Sequence, residues 1–278
     1  MTHKLDWNLD VEDWEYLNSI PDVNEDLLYM ARDAGTETFD PRKVLKVENQ
    51  LRMGSCRGHS GSTGVEWLRT LATGKIGYQL SRMMMYIETQ RLDGLSGDSG
   101  SSIANGIRLL ESTGLCREEL WPYPASYTQR RPANWQAVLD DAKENRIGRK
   151  ERLRGYEQVR AWAGTGQGYI DIGIPWRDEY AAPVVERYLG GRIRGYHAIA
   201  LFTLSDRTDS KGRPYVYMLN SHGLTSGQEG WSEYSPDFIE GVFQDRNTVM
   251  VGVSDMPFLK KREFTLDDVK KLVKWWEK

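Results

Sequence analysis

Gln50-Leu-Arg-Met-Gly-Ser-Cys56-Arg-Gly-His-Ser-Gly-Ser-Thr-Gly-Val-Glu66-Trp-Leu places one of only two cysteines in 278 residues at the start of an expected helix. The loop before it, ending in Gly54 and Ser55, offers little steric cover, so a carbonyl could approach the thiol. Helix N-termini present partly positive, unpaired N–H groups, which favour the thiolate over the thiol. The thiolate is the nucleophilic form of cysteine. The pattern therefore points to Cys56 as a nucleophile, provided the rest of the chain supplies a base.

Four histidines are available, His3, His59, His197 and His222. His197 lies in Gly195-Tyr-His197-Ala-Ile-Ala-Leu-Phe-Thr-Leu204, which reads as a buried strand entered through a glycine, so its ring would stand at a strand end on a fixed backbone. His59 shares a helix face with Cys56 but is expected to pack inward. A base needs a third group to orient it. After the strand Tyr215-Val-Tyr-Met-Leu219 comes Asn220-Ser-His-Gly-Leu-Thr-Ser-Gly227-Gln-Glu-Gly230-Trp231, where Asn220 ends a strand as a glycine-rich turn begins. Its amide can accept an imidazole N–H without changing charge. Cys, His and Asn in this order are the parts of a thiol acyl-transfer site.

These residues resemble the papain-like cysteine peptidases. Gln50 stands six residues before Cys56, where that family places its oxyanion-hole glutamine. Asn220-Ser-His-Gly223, then Gly227 and Gly230-Trp231, is similar to the family's Asn-Ser-Trp-Gly turn. The stretch Gly97-Asp-Ser99-Gly100, the helix after it and Pro122-Tyr123 resemble the family's substrate edge and the landmarks that follow. The resemblance implies an α+β fold of two lobes, helical first and an antiparallel, barrel-like sheet second. It implies catalytic roles for Cys56, His197, Asn220 and Gln50, and substrate contacts at Gly100, Ser99 and Ser55. The departures are specific. Met53 and Arg57 replace the family's disulfide cysteine and the tryptophan after the nucleophile, while His222 and Ser226 replace the two tryptophans of the turn. Without those indoles water is expected to reach the dyad more easily. The chain reads as a bacterial or phage-type member without the usual disulfide or propeptide.

A net charge of −3 and the lack of a basic, aromatic-laced patch argue against nucleic acid as a partner. No apolar run approaches a membrane span, and the N-terminus lacks a signal-peptide core. The chain is therefore expected in the cytoplasm, or in a virion if phage-encoded, acting on a peptide or protein substrate. The histidines lack metal-ligand spacing, so neither metal nor other cofactor is expected. Expected organisation is an N-terminal extension at 1–42, a catalytic domain at 43–256 divided near 135, and an amphipathic helix at 257–278. Helices are expected at 58–71, 78–92, 101–113 and 132–145, with strands from Leu153 onward.

Blander readings stand beside these. Cys116 is expected to be a structural thiol, Met83 to Met85 core filling, the basic run at 146–154 a solvated surface, and His222 a cover for Asn220. The acidic, aromatic extension, with Trp7, Trp14, Tyr16 and Tyr29, should pack on the domain or on a neighbouring subunit. An alternative role follows from the lost tryptophans: a catalytically weak module of this fold serving as a structural or binding part of a homo-oligomer or a larger assembly such as a phage particle.

Overall fold

The computed structural model describes residues 11–23, 40–74 and 79–255. The expected C-terminal helix, Trp7 and Tyr29 lie outside these residues. The helical part comprises α1 (Val11–Ser19), a single turn α2 (Pro41–Val44), α3 (Cys56–Thr73), α4 (Arg82–Leu92), α5 (Ile103–Ser112) and α6 (Trp135–Ala142). The sheet part comprises β1 (Arg149–Arg152), α7 (Tyr156–Thr165), β2 (Gly168–Trp176), β3 (Val184–Val185), β4 (Gly195–Thr208), β5 (Pro214–Leu219), β6 (Trp231–Tyr234), α8 (Pro236–Phe243) and β7 (Val249–Ser254). The strands form one open sheet in the order β1-β7-β2-β4-β5-β6-β3. Its pairings are antiparallel apart from β3 on β6.

Helix α3 is the axle of the molecule. It ends at Gly74, whose left-handed φ of 67° lets its N–H turn back to Thr70 O at 2.8 Å. Its small residues let neighbours approach. A Cβ at Gly58 would sit 2.8 Å from the Arg82 carbonyl of α4, and one at Gly64 would overlap the Tyr169 ring of β2. Consequently α3 is buried along almost its whole length, packed on α4, β2 and β4.

Strand alternation sends side chains to two cores. Tyr169, Ala198, Ala200, Phe202, Val249 and Val251 face the helices α3 to α5 together with Trp67 and the Met83 to Met85 run. Ile170, Ile172, Ile174, Ile199, Leu201 and Met250 face α7 and α8, meeting Tyr156, Val159, Trp162, Phe238 and Val242. With both faces covered, β2 is buried at every position. This explains an apolar run without polar alternation.

Two expectations for this half need correction. Residues 156–165 form a helix where strands were expected, because Tyr156, Val159, Trp162 and Ala163 follow helical spacing and bury one face. The basic run at 146–154 is built into the edge strand β1, where Arg149 pairs with Glu151 and Lys150 with Glu111.

The described part of the extension packs on this same chain. Leu17, Ile20 and Val23 are buried, and the Arg108 guanidinium of α5 lies 3.9 Å from the Tyr16 ring centroid. Arg152 N donates to Pro21 O at 2.8 Å and Val23 N to Arg152 O at 3.2 Å, extending the sheet beyond β1, three strands away from β4. Each fully buried aliphatic contributes about 1.5 to 3 kcal/mol. Deleting residues 1–23 is therefore expected to cost at least ~3 kcal/mol of stability. Urea unfolding of the truncated and full chains checks this; coincident midpoints would mean that the segment adds nothing.

Candidate active site

Cys56 is the first residue of α3, fully buried behind Ser55. Ser55 is the N-cap, yet its side chain does not cap the helix. Its hydroxyl lies 2.6 Å from Tyr123 Oη, which donates to Gln50 O at 3.0 Å. The first-turn N–H groups therefore keep their field for the thiol. The phenol meanwhile locks the loop that carries Gln50 to the loop that carries Cys56.

Gln50 is held at both ends of its amide. Nε2 donates to Met53 O at 2.8 Å, and Oε1 accepts from Ser221 Oγ at 2.6 Å. Backbone bonds join the same two segments: Gln50 N donates to Ser221 O at 2.8 Å, Gly223 N donates to Glu48 O at 3.0 Å, and Asn49 bridges His222. Thus the two motifs, far apart in sequence, lie side by side.

His197 stands near the start of β4 with its side chain fully buried, and its Nε2 lies 2.9 Å from Asn220 Oδ1. Asn220 is held in turn, its Nδ2 donating to Ser226 Oγ at 3.1 Å and its Oδ1 accepting from Ser221 N at 2.8 Å. With Nε2 at the amide, Nδ1 is the nitrogen on the other side of the ring. The first turns of α3 and β4 adjoin, for His59, Ser60, Thr63, Ala198, Ala200 and Asn220 line one narrow cavity. Cys56 stands one turn before His59 on α3, and His197 one residue before Ala198 on β4.

The other candidates separate cleanly. His59 turns Nδ1 to Ser55 O at 3.0 Å, and burial, reinforced by Arg82 and His197, lowers its pKa to about 3. A ring that stays neutral to such acidity is a poor proton carrier near pH 7. Burial raises the Cys116 thiol to about 12. It is an inert core thiol.

The substrate edge is more engaged than its sequence suggests. Gly100 takes a φ of 80°, its N–H donates to Tyr86 Oη at 3.2 Å, and its carbonyl accepts from Gln90 Nε2 at 2.9 Å. Ser99 is tied to its own loop through Gly97 O and Ser96 O. An extended peptide at this edge would have to displace Tyr86 from Gly100. Asp98, which sequence reasoning passed over, accepts from Gly54 N and Tyr86 Oη at 2.7 Å each and so ties this loop to the approach to Cys56.

The expected wetting of the dyad does not occur. Trp176, at the end of β2, packs edge-on to His197 with ring centroids 4.5 Å apart. Strand register explains this: Ile174 pairs with His197 and Trp176 with Gly195, so the indole and the imidazole are diagonal neighbours on one face. His222, expected to cover Asn220, stacks on His197, the ring that Asn220 contacts, with centroids 4.8 Å apart at 25°. An indole from another strand and a second imidazole thus replace the shielding tryptophans. Only a strand register could have revealed Trp176.

Among the described residues no helix is long and apolar enough to cross a membrane, and no group of three or more His, Cys, Asp or Glu side chains could hold a metal ion.

The fold, with a helical part set on an open, mainly antiparallel sheet, is that of the papain-like cysteine proteases. Xylellain, a cysteine protease from Xylella fastidiosa, superposes with a TM-score of 0.63 at 18% identity, covering 91% of each chain. Bromelain from Ananas comosus, solved with the inhibitor E64, gives 0.61 at 17% identity over 80% of this chain and 100% of its own. ProCathepsin B S9 from Trypanosoma congolense gives 0.61 at 16% identity over 92% and 86%. A curated relative, peptidase 1 of Psoroptes ovis, is 25% identical over 203 residues, which is 70% of this chain and 58% of the length of that relative. No family model matches the sequence.

Proposed function

We propose that the chain is a cysteine peptidase that cleaves peptide bonds through Cys56, His197, Asn220 and Gln50. The observation that carries the reading is the 2.9 Å contact of His197 Nε2 with Asn220 Oδ1, in a chain whose Cys56 opens a helix. The names of the relatives, all proteases or peptidases, agree with it. In this reading His197 Nδ1 takes the Cys56 proton, and the thiolate attacks the substrate carbonyl. The Gln50 amide and the Cys56 N–H hold the developing oxyanion. His197 then protonates the departing amine, leaving an acyl-enzyme, and later draws a proton from water so that hydroxide releases the acid. Asn220 keeps the ring aligned, and Trp176 keeps bulk water from the imidazolium. Residues 43–135 and 136–256 form the two lobes of the catalytic domain in this proposal.

The test is covalent labelling by E64, whose epoxide reacts with an activated thiol. Wild type should be labelled at Cys56 at neutral pH. His197→Ala should slow labelling sharply, because the thiol pKa returns toward about 8.5, whereas His59→Ala should leave it largely intact. The reverse order would exchange the two histidines' roles, and an unlabelled wild type would favour a structural module over an enzyme.

A further inference from the structure

The peptide group between Met53 and Gly54 is gripped on both sides. Its carbonyl, Met53 O, accepts from Gln50 Nε2 at 2.8 Å, and its N–H, on Gly54, donates to Asp98 Oδ1 at 2.7 Å. A peptide group is planar and trans, so an acceptor that fixes the direction of the N–H also fixes the direction of the C=O on the opposite side. Asp98 stands 44 residues from Gly54, in the loop between α4 and α5, and the proposed chemistry gives it no part. Resting on the proposed role of Gln50 in holding the oxyanion, we propose that Asp98 is a positioning residue for the Gln50 amide, acting through the Met53–Gly54 peptide group. Met53 stands where the resemblance would put a disulfide cysteine, and a thioether makes no such bond. A hydrogen bond to a carboxylate does the holding here.

The carboxylate is itself mounted on α4. Tyr86, fully buried, donates through Oη to the same Oδ1 at 2.7 Å and accepts from Gly100 N at 3.2 Å. One turn further along α4, the fully buried Gln90 donates through Nε2 to Gly97 O at 3.0 Å and to Gly100 O at 2.9 Å, and Tyr127 Oη donates to its Oε1 at 2.9 Å. The loop is thus held on both sides of Asp98. A Cβ at Gly54 would sit 3.1 Å from Gly100 N, 3.3 Å from Asp98 Oδ1 and 3.4 Å from Tyr86 Oη, so the Gly54 backbone is seated closely against these groups. At the other end of the Gln50 amide, Ser221 Oγ donates to Oε1 at 2.6 Å, and the Met53 carbonyl is the support that Asp98 controls. A donor preset in this way needs no reorientation when charge develops on the substrate oxygen.

The experiment compares two reactions of Cys56 in the full-length chain. Peptide hydrolysis develops an oxyanion. Alkylation by iodoacetamide does not, because sulfur bonds to the methylene carbon while iodide leaves with the bonding pair. Asp98→Ala should lower kcat and kcat/KM for a fluorogenic peptide alike, by about tenfold to a hundredfold, since a misplacement of about 1 Å can cost a factor of about a hundred. Its alkylation rate should stay close to that of the wild type. In a Gln50→Ala background the same substitution should lower hydrolysis no further, because residues that act through one group are not additive. Parallel losses in both reactions, unchanged hydrolysis, or additive losses in the double variant would overturn the proposal. Should Asp98→Ala fail to fold, Asp98→Glu keeps the charge while moving the acceptor oxygen by one methylene, and the same selective, non-additive loss is expected. A wild type that hydrolyses no peptide, with Cys56 alkylated no faster than an ordinary thiol, would sink the peptidase reading and this proposal with it. An active wild type with parallel losses sinks the proposal alone.

Discussion

Cys56→Ala should abolish peptide hydrolysis while leaving the fold intact. On the proposed mechanism Cys56 is the nucleophile, and removing the nucleophile of a triad that works as a unit costs on the order of a millionfold in turnover. The residual rate, set by binding and the oxyanion donors, should be indistinguishable from background in a peptide assay. The structural cost is small. Cys56 is a fully buried first-turn residue, and alanine suits a helix start while removing a single sulfur atom. A loss below about 1.5 kcal/mol is expected. Hydrolysis of a casein or fluorogenic peptide, with circular dichroism on the same samples, checks both halves. Undiminished hydrolysis in a folded variant would sink the peptidase reading.

The largest expected effect on stability lies one residue further along, at Arg57. Its Nη1 sits 2.7 Å from Asp171 Oδ2, with both side chains fully buried, and Ser60 Oγ bridges the pair at 3.3 Å on each side. The ion pair joins α3 to β2, the helical part to the sheet. Burial raises the pKa of the Asp171 carboxyl, and Arg57 and Ser60 only partly pull it back. Gly61 and Gly106 make the space, for a Cβ at either would run into the guanidinium. Arg57→Ala would leave a buried carboxylate with the Ser60 hydroxyl but no cation to balance it. Removing one member of such a pair costs about 3 to 5 kcal/mol, which corresponds to a fall of roughly 10 °C in Tm for a chain of this size. Replacing both, as in Arg57→Met with Asp171→Leu, should recover most of it, because paired apolar groups of similar volume carry no desolvation cost. Thermal melts of the single and double variants decide; a single variant within 1 kcal/mol of wild type would show that the pair is not needed.

Legibility differs between the two halves for a physical reason. Helices α3 and α5 run from Cys56 to Thr73 and from Ile103 to Ser112, close to the expected 58–71 and 101–113, because small-residue faces, caps and apolar periodicity are local signals. Helix α4 starts at Arg82, later than the expected 78, where Ser81 caps it through Met84 N. In the sheet half the glycines at 155, 164 and 166 look like strand punctuation and conceal α7. The doubly covered β2 shows no alternation to read.

What the sequence determined by itself was the local placement of four side chains: a cysteine at a helix start, a glutamine at fixed spacing before it, a histidine opening a strand and an asparagine closing another. Each is a matter of residue type and local backbone. Tertiary structure alone decided how those parts are held and shielded. The pairing of residues 48–50 with 221–223, the Trp176 indole over His197, the Asp98 tie to Gly54 and the Arg57–Asp171 bridge each join residues distant in the chain. Such contacts depend on strand register and on how α3 beds against the sheet, quantities that no local pattern encodes.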